Sequence, residues 1–205
     1  MAGGFNPGPV DDLGASIDID SDTLARTAMQ SPAPVGLQSK GGSAKNGAAP
    51  LGAQVVNFAR DRITSRVGDG QCFALADQAL RNAGARSAAD FGTVTPNADY
   101  VWGTQVNLSD VRPGDIIQFR NYRYDRTIET ETSVDTDSQV RPHHTAIVET
   151  VGADGAITVL EQNVPDGDPV RRSRLFFSNR NETSGGTTTT IAVQGSFRFY
   201  RPQPR

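Results

Sequence analysis

Apolar positions recur at two different periods along the chain, and the change from one to the other divides it. From Gln54 to Val67, Val55, Ala59 and Ile63 fall on one stripe while Arg60, Asp61 and Arg66 lie outside it, which predicts an amphipathic helix. Gly68-Asp-Gly-Gln71 breaks that pattern. A second helix is predicted from Cys72, with Phe73, Ala76, Leu80 and Ala83 at helical spacing and Gly84 as its stop. A long irregular stretch carrying Tyr100 and Trp102 follows; these two rings either wall a groove or belong to the core. Then the period becomes that of strands. Arg112-Pro-Gly-Asp115 signals a turn before a short strand, Ile116 to Arg120. Thr145 to Val151 and Ala156 to Leu160 are β-branched runs joined by Gly152-Ala-Asp-Gly155, a hairpin signal. Further strands are predicted at Val170 to Phe177 and Ile191 to Tyr200, with a Gly/Thr turn at Thr183 to Thr190 between them. The polar, Thr-rich stretch 121–142 reads as an extended loop or an exposed hairpin, its arm carrying Tyr122 and Tyr124 between arginines. Helices first and hairpin-connected strands afterwards predict an α+β fold on an antiparallel sheet.

Composition sets residues 1–50 apart. They hold 8 Gly, 5 Pro and one aromatic, Phe5, so little apolar surface is available to offset chain entropy. A disordered tail is expected there, with a short helix after Ser21 or Asp22, and residues 51–205 form the folded domain. A net charge of -3 argues against a protein held on nucleic acid by phosphate contacts, and no basic run marks a membrane surface. One cysteine and two histidines exclude an internal disulfide and the Cys-rich zinc sites. The N-terminus has neither the basic nor the apolar region of a Sec signal. The chain is therefore expected to be cytoplasmic or exported by a dedicated apparatus.

The chemistry left is that of Cys72, His143 and His144. A thiol on the first turn of a helix has its anion favoured by the free N–H groups there, and an imidazole can take its proton. The alternative for a lone helical cysteine is a small buried apolar residue. Adjacent residues on a strand point to opposite faces, so the two histidines are not expected to serve one site. An even-length hairpin loop, such as Gly152 to Gly155, places His144, Glu161 and Asn163 on one face; a three-residue loop undoes this. An imidazole beside a carboxylate and a carboxamide is how a base is held in one orientation.

Gly-Gln-Cys72 opening a helix, Arg-Pro-Gly-Asp115 before a strand, His144-Thr-Ala-Ile-Val-Glu149 and Leu-Glu161-Gln-Asn163 together resemble the CHAP family. These are cysteine, histidine-dependent amidohydrolases/peptidases, a branch of the papain-like fold close to the NlpC/P60 enzymes. The resemblance spans about Val55 to Val164. His143 stands where the family carries Gly. It implies Cys72 as nucleophile and His144 as base, oriented by Asn163 and Glu161. The Cys72 N–H, and more weakly the Gln71 side chain, would form the oxyanion hole. No cofactor is implied. Some relatives bind calcium just before the cysteine, but Ile63 to Gln71 offers only Asp69, so no metal is expected.

The same resemblance implies an amide substrate cleaved through a thioester, with bacterial peptidoglycan peptides as the family's usual target. An exported toxin would reconcile that target with the missing Sec signal, the tail serving to engage a secretion or inhibitor protein. Two alternatives share the scaffold: a non-catalytic binding or assembly module, and a small-molecule amidase.

Overall fold

The computed structural model describes residues 49–205. The expectations of a disordered tail and of a helix after Ser21 or Asp22 lie outside the described residues, save for positions 49 and 50.

Helix α1 (Leu51–Arg60) turns Val55, Val56, Phe58 and Ala59 inward. It stops short of Val67 because the chain leaves the helix to pair with a distant segment. Thr64 adopts a left-handed φ of 70°, its N–H donates to Val170 O at 2.8 Å, and Ser65 O accepts the Val170 N–H at 2.9 Å. Helix α2 (Cys72–Asn82) buries Leu75, Ala76, Ala79 and Leu80. Gly84 ends it at φ 73°, and the Ala85 N–H closes back on Leu80 O at 2.9 Å.

Strands β1 (Thr104–Val106), β2 (Ile116–Glu129), β3 (Val134–Val151), β4 (Ala156–Glu161), β5 (Arg171–Phe176), β6 (Arg180–Ser184) and β7 (Thr187–Arg201) form one antiparallel sheet. Their order is β1-β7-β2-β3-β4-β5, with β6 also on β7. This is the expected α+β architecture. The sheet carries a core on each face. Both helices cover one, where Leu75 and Leu80 meet Ile116, Ile147 and Leu160. Ile117, Phe119, Tyr122, Val148 and Phe177 fill the other. Trp102 is fully buried in the first, its Nε1–H donating to Gln118 Oε1 at 3.2 Å, so it is core and not groove wall.

The stretch 121–142 is the outer half of the β2–β3 hairpin, paired on its far side by β7. Most of residues 131–140 are exposed, as expected of an exposed hairpin, but the two tyrosines are not. Tyr122 and Tyr124 are buried, and the Tyr122 hydroxyl donates to Phe176 O at 2.5 Å. The reason is a change of phase. Asn121 takes φ 51° and drops out of the ladder together with Pro142, so Phe119 and Tyr122, three residues apart, both enter the same core. Gly195 of β7 makes room for this. It sits at φ 80°, and a Cβ there would collide with the Asn121 carbonyl. Gly195→Ala is therefore expected to lose at least about 2 kcal/mol in chemical denaturation, from left-handed strain and overlap together.

The β3–β4 connection differs from the even-length loop expected. Val151 pairs Ile157, Gly152 N–H donates to Ala156 O at 2.8 Å, and Ala153, Asp154 and Gly155 form a three-residue loop with Gly155 at φ 76°. That parity alone would turn His144 and Glu161 to opposite faces. A bulge between Val148 and Thr150 restores it, so that Val148 pairs Val159 and Ile147 pairs Leu160. The extra residue, Glu149, is buried and binds Arg60 of α1 (2.6 Å) and Arg172 of β5 (2.7 Å).

Candidate active site

Cys72 is the first residue of α2, and the loop before it is held to the end of β4. Gly68 and Gly70 take left-handed φ values of 60° and 86°, and the Gln71 N–H donates to Asp69 Oδ1 at 2.9 Å. Gln162, fully buried, accepts from Val67 N–H at 3.0 Å and donates to Val67 O (3.0 Å) and Gln71 O (2.6 Å). The loop and the strand end therefore move as one piece.

His144 of β3 is buried, and it and the Cys72 thiol shift each other's charge state. Its Nε2 lies 3.0 Å from Glu161 Oε2, but off the N–H axis, so that contact acts through charge and not through a formed hydrogen bond. Glu161 is itself fully buried. Arg141 grips it with two hydrogen bonds, Nε to Oε2 at 2.9 Å and Nη2 to Oε1 at 2.5 Å. Arg141 is held in turn by Gln139 Oε1 and Val140 O, both at 2.8 Å.

These neighbours set the charge states. Burial pushes the Cys72 thiol up, but the hydrogen bond and charge of His144 and the backbone N–H groups of Thr145 and Phe73 outweigh it, leaving the thiol below its ordinary value. Burial pushes His144 down, yet the thiol and Glu161 raise it above the usual imidazole range. Burial likewise works against ionised Glu161, while His144 and Arg141 bring it down to about 2. All three shifts favour a thiolate, an imidazolium and a carboxylate in one row.

The expected residues are thus only partly brought together. Cys72, His144 and Glu161 meet. Asn163 does not reach His144: β4 ends at Glu161, and Asn163 turns away at φ 66°. Its Nδ2 donates to Gln71 Oε1 at 3.2 Å and its Oδ1 accepts the Gly167 N–H at 2.6 Å. Gln71 stands exposed at the rim with that oxygen engaged. His143 and His144 do point apart, His143 Nε2 meeting Ala98 O at 2.8 Å. Both nonetheless border one cleft of about 970 Å³, with Cys72, Phe73, Tyr100 and Val164. Arg141 and Gln162 were not anticipated. Strict alternation puts Arg141 on the face of His143, and only the phase change at Asn121 and Pro142 returns it to that of His144.

Among the described residues no group of three or more His, Cys, Asp or Glu is placed to hold a metal ion, and no helix is long and apolar enough to cross a membrane. No curated protein and no solved structure matches the chain. A family model does, that of the AIM3/BBC1 cysteine proteinase-fold domain, over residues 30–179. This supports the papain-like part of the expected kinship and not specifically an NlpC/P60 peptidoglycan hydrolase. With the match covering well over half of the 205 residues, the chain belongs to the AIM3/BBC1 cysteine proteinase-fold family.

Proposed function

We propose that the domain is a thiol-dependent amidase. The observation that carries this reading is the row Cys72–His144–Glu161–Arg141, in which burial costs are outweighed by mutual charge. In the proposed step the Cys72 thiolate adds to the amide carbonyl. The N–H of Cys72 itself, at the start of α2, serves the developing oxyanion. The imidazolium of His144 gives its proton to the departing amine, leaving a thioester on Cys72. Neutral His144 then takes a proton from water, whose oxygen attacks the thioester and releases acid and thiol. Glu161 holds the positive charge on the imidazole, and Arg141 fixes the carboxylate.

A second reading is a binding module on the same scaffold. It is favoured by the off-axis contact between His144 and Glu161, which leaves the base less firmly oriented than a formed hydrogen bond would. Acylation by p-nitrophenyl acetate separates the two. The amidase reading expects a burst of p-nitrophenol equal to the protein concentration, an acetyl group on Cys72 by intact mass, and its subsequent loss. Both signals vanish in Cys72→Ala. Acetylation no faster than that of free cysteine at the same pH would leave the binding module.

A further inference from the structure

The β4 side of β3 is paired only from Ile147 to Val151. From Val134 to Ala146 that edge has no strand beside it among the described residues, although the opposite edge is paired along β2. The open edge leads straight to the thiol. Val148 turns both its N–H and C=O toward β2, meeting Asp115 O at 2.8 Å and Gly114 N–H at 2.9 Å. By alternation, Thr145 and His143 turn theirs the other way. The Thr145 N–H is also one of the backbone groups that lower the Cys72 thiol.

The cleft lies along the same edge. Its lining includes the five consecutive residues from Val140 to His144, although neighbours on a strand face opposite ways. A hollow lined by both faces of one strand meets that strand edge-on. Val94, Pro96 and Tyr100 line it too and supply apolar surface. An unpaired strand edge presents a ladder of donors and acceptors that an extended backbone satisfies, while an apolar wall takes alternate side chains.

We infer that the cleft binds an extended peptide as an added strand on the free edge of β3, with apolar side chains against Val94, Pro96 and Tyr100 and a backbone carbonyl carried to Cys72. This rests on the amidase reading for what happens at that carbonyl, but the docking itself does not need it. The substrate class is then a stretch of unfolded or looped polypeptide.

The test compares chloromethyl ketones, in which the Cys72 sulfur displaces chloride to form a thioether. Acetyl-Val-Ala-Val-Ala-chloromethyl ketone is set against chloroacetone, and the ratio of rates cancels the reactivity of the thiol. A ratio on the order of 100 is expected from two or more ladder hydrogen bonds plus side-chain burial. Methylating one backbone nitrogen of the probe should cut its rate roughly tenfold, and methylating its neighbour should not, since alternate amides face β3. A ratio near one overturns the proposal, whatever the thiol's own reactivity. So does a high ratio indifferent to methylation at every position, which would mean side-chain burial without strand pairing. Failure of the amidase reading shows separately, in the pH profile of labelling by iodoacetamide.

Discussion

In His144→Ala, alkylation of Cys72 by iodoacetamide at about pH 6.5 is expected to fall roughly 100-fold below that of the unaltered protein. The chain has one cysteine, so the label reports one site. With His144 present, the thiol lies below its ordinary value and the imidazole above its own. Both shifts favour the ion pair, which should show as labelling that persists below the pH range of a free thiol. The sign follows from what is removed. Burial is the largest influence on Cys72 and pushes it up; His144 is the chief influence bringing it down. Without the imidazole only the N–H groups of Thr145 and Phe73 oppose burial, so the thiol is pushed up and its anion is scarce at neutral pH. His144→Gln, which keeps a polar side chain in the buried position, should behave like His144→Ala. A single rise near pH 8.5 in all three proteins would mean that no ion pair exists and that the catalytic reading is wrong.

Replacing Arg141 by Met is expected to cost about 3–5 kcal/mol of stability at pH 7, read by urea denaturation. Both partners of the Arg141–Glu161 pair are buried, so the substitution takes a hydrogen bond from each carboxylate oxygen and leaves only the charge of His144 beside it. The loss should shrink as the pH falls. In the unaltered protein Glu161 is depressed to about 2, against roughly 4.3 in the unfolded chain. Its contribution, on the order of 3 kcal/mol, is therefore complete above about pH 4.3 and is lost as the pH falls toward 2. In Arg141→Met the carboxyl titrates at a higher pH and becomes neutral sooner, which relieves the variant while the parent weakens. Adding Glu161→Gln to Arg141→Met should recover part of the loss by removing the stranded charge. A deficit that stays constant between pH 7 and pH 3 would show that Arg141 acts by packing and not through the charge of Glu161.

What could be read from the chain alone was what local physics controls. Helix α2 and its end were legible because Phe73, Ala76 and Leu80 keep the helical period and Gly84 accepts a left-handed φ. Cys72 at the first turn followed from the same pattern, as did the α+β class. The two-residue alternation also placed His144 and Glu161 on one face, though by a loop of the wrong parity. The bulge that rescues it is not local. Glu149 is drawn out of the ladder by Arg60 and Arg172, residues 89 and 23 positions away along the chain. No periodicity reports such a partner.

The same limit explains the other differences. Residues 121–142 look polar enough for a loop, yet β7 pairs with β2 there and buries Tyr122 and Tyr124. α1 ends early because Val170 takes the backbone groups of Thr64 and Ser65. Arg141 joins the site because Asn121 and Pro142 shift the phase of the hairpin opposite Gly195. Asn163 leaves it because β4 stops two residues before. The elements, and the place of Cys72 at a helix start, follow from the preferences of residues a few positions apart and could be read without the fold. Which faces meet, which charges are paired and which strand edge stays open depend on contacts between distant segments, and no local pattern carries them.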